Sequence, residues 1–132
     1  MRDEAETDPQ IGAVSAVERR GADRVPVALS VDCETEATFL YASIRNISEL
    51  GIFVATRHPL LLGTRVTLKF SAPRSTEAFS LGGVVQWINP SGVLVESPNP
   101  GMGVRFVDIT LDDRERLVAA IRTIAYVRDA SN

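Results

Sequence analysis

From Val25 to Ile109 the chain consists of short apolar runs, and in three of them (VPVALSVDC, TRVTLKFSA and MGVRFVDI) apolar and polar residues alternate with a period of two, which is typical of half-buried β-strands. Turn-forming residues separate the runs, and only the polar ETEA lies between the first two, so we expect these two to pair as a hairpin. From Val25 onwards the runs are VPVALSVDC, TFLYASIRNIS, GIFVAT, TRVTLKFSA, LGGVVQWIN, VLVESP and MGVRFVDI.

The period changes after Thr110, where the sequence predicts a helix. Thr110 is a suitable N-cap, and Asp113 follows three residues later, as in a capping box. Asp112 and Asp113 also favour the positive end of the helix dipole. An apolar stripe then recurs at spacings of three and four, which predicts an amphipathic helix whose stripe belongs to the core rather than to a partner-binding surface. The stripe contains Leu117, Val118, Ile121, Ile124 and Ala125.

About six short strands with sequential turns and one terminal helix indicate a mostly β fold, an antiparallel barrel with the helix packed against it. The 132 residues suffice for one domain. We predict a flexible acidic leader over residues 1–17, the folded domain over 18–128 and a short tail over 129–132.

Charge and cysteine content narrow the class of protein. The net charge of −3 and the pI near 5.1 argue against binding of a nucleic-acid polymer. Residues 1–18 carry −4 of this charge, which leaves +1 for the remainder. A single cysteine excludes an internal disulfide and fits a reducing compartment. Since no apolar run reaches the roughly 20 residues of a membrane span and no signal peptide is evident, a soluble cytoplasmic protein is predicted.

Residues typical of catalysis are sparse. His58 is the single histidine, it precedes Pro59 in a turn, and no acid or nucleophile lies next to it. One histidine and Cys33, far apart in sequence, provide no spacing typical of metal ligands. Neither a phosphate-binding loop nor a dinucleotide fingerprint occurs. We therefore predict neither an enzyme nor a bound cofactor, and interpret Cys33 as an unreactive packing residue.

An arginine cluster lies directly before the first strand. Arg19, Arg20 and Arg24 occur within six residues, on a segment that Gly21 makes flexible. Guanidinium groups donate two parallel hydrogen bonds to phosphate and can also stack on a base or donate to guanine. Taken alone, such a cluster is more often a solvated surface patch.

A second polar cluster lies between two apolar strands. It comprises Asn46, Ser48 and Gly51, in the sequence N-I-S-E-L-G. The Asn and Ser side chains either form local hydrogen bonds or face a ligand edge, and glycine permits unusual dihedrals or a close approach to backbone. Taken alone, the segment is an ordinary turn.

In this order the two clusters resemble the PilZ domain family, in which R-x-x-x-R precedes the first strand and [D/N]-x-S-x-x-G follows 20–30 residues later. The matching residues are Arg20 to Arg24 and Asn46 to Gly51. The flanking runs are also similar, so the resemblance covers about residues 18–125. It implies a six-stranded antiparallel β-barrel with a C-terminal α-helix.

The resemblance also implies a ligand, the bacterial second messenger cyclic di-GMP. Arg20 and Arg24 would contact its phosphates and guanine edges, while Asn46 and Ser48 would face a guanine. Gly51 would leave room for the base. Two further arginines are named by the resemblance: Arg19, which would add a stacking or phosphate contact, and Arg105, which either borders the site or is an ordinary exposed strand residue.

The implied function is that of a cyclic di-GMP receptor that changes conformation on binding and signals through a downstream protein partner, in pathways such as motility. No membrane contact is expected, and the protein would be a monomer or a dimer. The alternative is a PilZ-fold module for protein–protein interaction that does not bind the nucleotide.

Overall fold

A computed structural model describes residues 24–74, 77–90 and 99–130. The predicted leader, Arg19, Arg20 and the run VLVESP lie outside these residues. The elements, in chain order, are β1 (Val25–Glu34), β2 (Phe39–Ile47), β3 (Gly51–Ala55), β4 (Arg65–Phe70), β5 (Phe79–Asn89), β6 (Gly101–Val107) and α1 (Leu111–Ala130).

The six strands form one closed antiparallel barrel in the order β1-β2-β3-β6-β5-β4. Strands β1 and β2 form the predicted hairpin, in which Glu34 pairs with Phe39. Pairing between β1 and β4, for example Asp32 with Lys69, closes the barrel. The mostly β prediction, with six antiparallel strands and a C-terminal helix, is confirmed.

One apolar core fills the barrel and extends to the helix. Alternate strand residues point inward, including Val31, Ile44 and Leu68, each at most 1% exposed. From α1, Leu117 and Ile124 join this core, so the predicted stripe is a packing surface. Thr110 caps the helix as predicted, because its Oγ1 accepts the Asp113 amide at 3.1 Å.

An aromatic contact holds the N-terminal half of α1 against β5, and an ion pair within the helix orients the arginine that makes this contact. The Arg116 guanidinium lies 4.3 Å from the centre of the Phe79 ring and pairs with Asp113 at 3.2 Å.

Within the part of the chain that the structure describes, no helix has both the length and the apolarity needed to cross a bilayer.

Gly51 at the start of β3 lies where two strands approach closely. A Cβ at this position would overlap the carbonyl oxygen of Val104 in β6. We expect Gly51→Ala to lower the free energy of unfolding by about 2 kcal/mol or more, because backbone must move to relieve the overlap. Urea unfolding measures the change. Gly82→Ala is the matched control, since its nearest neighbouring atom would be 3.3 Å away; equal losses for the two variants would contradict the prediction.

Cys33 is fully buried in β1, and burial, followed by the charge of Asp32, raises the pKa of its thiol from 9.0 to about 11. The unfolded chain therefore loses the thiol proton first, so the free energy of unfolding should fall as the pH rises from 9.0 towards 11. Unfolding measured across this range should show a steeper fall for the parent than for Cys33→Ala. Parallel pH profiles would contradict the assignment.

Candidate functional site

The last arginine of the first motif, Arg24, and the asparagine of the second motif, Asn46, lie next to each other at the start of the barrel. Arg24 immediately precedes β1, and Pro26 pairs with Asn46 in β2, so the hairpin brings the two side chains together. The Arg24 Nε–H donates to Asn46 Oδ1 at 2.6 Å. Partial burial lowers the pKa of the Arg24 guanidinium, which nevertheless stays protonated as arginine does in proteins. An oriented cation therefore lies at the edge of the barrel.

Ser48 organises the turn that joins β2 to β3. Its side chain is only 1% exposed, and its Oγ accepts the Leu50 amide at 3.2 Å and donates to the Gly51 carbonyl at 3.4 Å. The Ser48 amide also donates to the Gly51 carbonyl, at 2.9 Å. Both side-chain bonds are internal to the turn, so the motif serine shapes the loop next to Asn46.

A β-bulge in β2 turns Asn46 towards the surface. Ile44 pairs with Val54 and Asn46 pairs with Phe53, so Arg45 is an extra residue in β2. The extra residue interrupts the alternation, and a side chain that would otherwise point into the core points outward. Arg45 is itself exposed.

A second bulge, in β5, does the same for Trp87. Val85 pairs with Val104 and Trp87 pairs with Gly103, which leaves Gln86 as the extra residue. Trp87 is 43% exposed, whereas strict alternation from Val85 would place it in the core. Its indole covers Gly103, where a Cβ would overlap the ring.

The two bulges create one row of residues across four strands. Asn46, Phe53, Gly103 and Trp87 are neighbours in β2, β3, β6 and β5. Phe53 and Trp87 stack with ring centres 5.4 Å apart and planes at 14°. Because Phe53 is only 6% exposed, the accessible ring is that of Trp87, which gives the outer surface an aromatic floor next to an amide and a guanidinium. This combination suits a planar, polar, anionic ligand.

Open cavities lie along this row. One of about 280 Å³ is lined by Arg45, Asn46, Phe53, Trp87, Asn89 and Asn99. A neighbouring cavity of about 310 Å³ shares Arg45, Phe53 and Asn99 and extends to Arg57. The lining therefore combines cations, amides and an aromatic ring along one continuous face.

A larger cavity, of about 450 Å³, lies elsewhere on the barrel and is less suited to an anion. Its lining includes Glu34, Glu36 and Asp108, and Asp108 pairs with Arg65 at 3.0 Å. Carboxylates on its rim repel phosphate, so size alone does not identify the site.

The turn at the site is bonded directly to the end of the barrel and to the helix. The Leu50 carbonyl accepts the Phe106 amide at 2.9 Å. Glu49 pairs with Arg114, in the first turn of α1, at 3.2 Å. The segment that holds Ser48 is therefore connected both to the last strand and to α1.

The predicted site residues are distributed as follows. Arg24 and Asn46 are in contact with each other, which the motifs did not predict, and their contacts with a ligand stay predictions. Gly51 packs against β6, so its missing side chain already serves strand packing, and its role towards a ligand stays a prediction. Arg105 pairs with Gly51 and is exposed on the same outer face. Arg19 and Arg20 lie outside the described residues.

Sequence reasoning missed Trp87, Phe53 and Arg45 as residues of this surface. Phe53 and Trp87 lie in largely apolar runs that indicate strands without showing which side chain faces out, and the bulge in β5 turns Trp87 to the surface. A lone tryptophan next to a turn signal, Asn89-Pro90, was the available hint. Among the described residues, no group of three or more His, Cys, Asp or Glu is placed to hold a metal ion.

Comparison with solved structures identifies the fold. The PilZ domain of YcgR from Escherichia coli, solved with c-di-GMP, matches with a TM-score of 0.70 and 16% identity over 86% of this chain and 96% of that one. A larger YcgR structure in complex with c-di-GMP matches with a TM-score of 0.66 and 14% identity over 86% of this chain. MotI/DgrA, an inhibitor of motility from Bacillus subtilis, matches with a TM-score of 0.63 and 23% identity over 80% of this chain.

The chain spans about half the length of MotI and of the larger YcgR structure. Identities below 25% establish the fold alone, and no curated protein matches significantly. The family model for the PilZ domain, however, matches residues 18–123, which is most of the chain and includes both arginine and asparagine motifs. The chain therefore belongs to the PilZ domain family.

Proposed function

We propose that this chain is a receptor for cyclic di-GMP and not an enzyme, and that it binds the nucleotide on the outer face of β2, β3, β6 and β5. The observation that carries the proposal is the contact of Arg24 with Asn46 beside the exposed Trp87 surface. Cyclic di-GMP has two phosphates and two guanines, and this face offers cations, amides and an aromatic floor.

Each group has a chemical role in the proposed complex. Arg24, joined by Arg19 and Arg20 of the preceding segment, binds phosphate or the guanine O6 and N7 atoms. Trp87 provides a surface on which a guanine stacks, and such stacking contributes about 1–3 kcal/mol per base in other proteins. Asn46 stands at the guanine edge, and Ser48 and Gly51 keep the adjacent turn in the shape that leaves this edge open.

The turn between β2 and β3 also suggests how binding of the nucleotide is communicated to a downstream protein partner. A ligand that shifts Asn46 pulls on the segment that Leu50 bonds to β6 and Glu49 bonds to α1. The pair of Glu49 ends in the first turn of the helix, and the bond of Leu50 ends in β6, the strand that precedes the helix, so the proposed signal is a change in how this turn packs on the barrel. A protein partner would read that surface.

Binding is tested by titration calorimetry and by the fluorescence of Trp87, the single tryptophan of the chain. We expect cyclic di-GMP to release heat and to change the fluorescence as guanine stacks on the ring. Arg20→Ala and Arg24→Ala should each weaken binding about tenfold or more, since a hydrogen bond to a charged group contributes about 1.5–3 kcal/mol.

Arg65→Ala is the matched control, because Arg65 is an exposed arginine whose partner, Asp108, lies away from the proposed site. Its affinity should equal that of the parent. Absence of binding at about 100 µM nucleotide, a level that corresponds to about 5.5 kcal/mol, would exclude the receptor function. Binding that Arg20→Ala and Arg24→Ala leave unchanged would place the ligand elsewhere.

The proposed transmission is tested by amide hydrogen exchange with and without cyclic di-GMP. We expect the nucleotide to change exchange in the first turn of α1, and Glu49→Gln to reduce this change because the pair with Arg114 is lost. Glu34→Gln, which removes the comparable exposed pair with Lys69 on another face, is the control. An unchanged helix in the parent, or equal effects of the two variants, would contradict the route through Glu49.

A module that binds a protein and no nucleotide is the alternative function. Phe39 and Tyr41 favour it, since they lie two residues apart on the outside of β2 and are 58% and 67% exposed. Absence of nucleotide binding, together with retained folding, would favour this function. Assembly as a monomer or a dimer stays a prediction, which the molar mass in solution decides.

A further inference from the structure

The contact between Arg24 and Asn46 uses one particular edge of the guanidinium. The donor is Nε, the nitrogen nearest the aliphatic stem, and the acceptor is the side-chain oxygen of Asn46 at 2.6 Å. A guanidinium is planar and has five N–H donors in a fixed arrangement. Because Nε is held, the plane of the group is defined, and its outer end, where each Nη directs one N–H bond outward, points away from Asn46.

The chemistry of the acceptor also matters. Asn46 accepts through a side-chain oxygen, and Asp, the other residue that the family motif allows at this position, would supply such an oxygen as well. The side chain is held by strand pairing as well, because Asn46 lies opposite both Pro26 and Phe53. Arg24, by contrast, precedes β1 and is exposed, so its long side chain would otherwise sample many rotamers at an entropic cost on binding.

From these observations we infer that Asn46 is a positioning residue, whose side-chain oxygen holds Arg24 so that the Nη edge is presented to the anionic ligand before the ligand arrives. This inference rests on the proposed receptor function and adds a role for Asn46 that does not require it to touch a guanine. Arg24 preset in this way loses less conformational freedom on binding.

Two substitutions separate this role from a direct contact of Asn46 with the base. Asn46→Ala removes the oxygen that accepts from Arg24. Asn46→Asp keeps an oxygen acceptor at the same place but removes the NH₂ group that would donate to a guanine acceptor. A positioning role and acceptance from the guanine N1–H both depend on the oxygen, whereas donation to guanine depends on the amide nitrogen. The double variant with Arg24→Ala separates the first two, because only a direct contact survives the loss of Arg24.

The first measurement needs no nucleotide. In a ¹H–¹⁵N spectrum of the whole chain, the Arg24 Nε–H signal is assigned by its loss in Arg24→Lys. We expect Asn46→Ala to shift this signal and to speed its exchange with water, and Asn46→Asp to keep it protected. An Nε–H signal that is unchanged in Asn46→Ala would overturn the inference, and an unchanged thermal midpoint of that variant shows that the barrel is intact.

The second measurement is the affinity for cyclic di-GMP by calorimetry. Asn46→Ala should weaken binding about tenfold in the parent, but should have no further effect in Arg24→Ala, since the residue that it positions is gone. Asn46→Asp should stay within about threefold of the parent. Losses that multiply in the double variant, or a loss in Asn46→Asp as large as in Asn46→Ala, would show a direct contact with the base and overturn the positioning role.

The two measurements also distinguish failure of this inference from failure of the proposed function. A parent that does not bind cyclic di-GMP excludes the receptor function and, with it, any role of Asn46 in nucleotide recognition. A parent that binds the nucleotide, combined with an Arg24 signal that does not depend on Asn46, leaves the receptor function standing and overturns the positioning role alone.

Discussion

The extra residue in each of two strands is the constraint on which the candidate site depends. Arg45 in β2 and Gln86 in β5 interrupt the alternation of inward and outward side chains, so Asn46 and Trp87 face solvent while their strands stay paired. The outward ring of Trp87 has room only because Gly103 beneath it has no side chain. Removal of either bulge would return one of the two groups to the core and dismantle the row.

The turn after Asn46 connects the candidate site to the last strand and to the helix. The turn after Asn46 is held by buried Ser48, by the bond of Leu50 to β6 and by the pair of Glu49 with α1. An exposed ion pair contributes about 0–1 kcal/mol, so the pair of Glu49 with Arg114 adds little to the stability of the turn beside its backbone and Ser48 bonds. A small domain in which the site and the helix share one turn has a short path for a conformational signal.

The PilZ fold is retained at low sequence identity, and the physics of the core explains why. The YcgR domain matches with a TM-score of 0.70 at only 16% identity. Strand interiors need apolar side chains of suitable volume at alternate positions, and many residue combinations satisfy this need. The short motifs that contain Arg24, Asn46 and Ser48 tolerate fewer residue types, so the resemblance rested on these motifs together with the strand runs that flank them.

By itself, the sequence determined the strands, the Thr110 cap and the order of the two motifs, because period, capping and turn chemistry are local properties. It did not determine that Trp87 lies exposed beside Asn46 and stacks on Phe53, since the largely apolar runs of both aromatic residues read as ordinary strands. Only strand pairing decides where a bulge lies, because a bulge is defined by the partner strand that it fails to match. The tertiary structure alone therefore placed the indole, the amide and the guanidinium on one face.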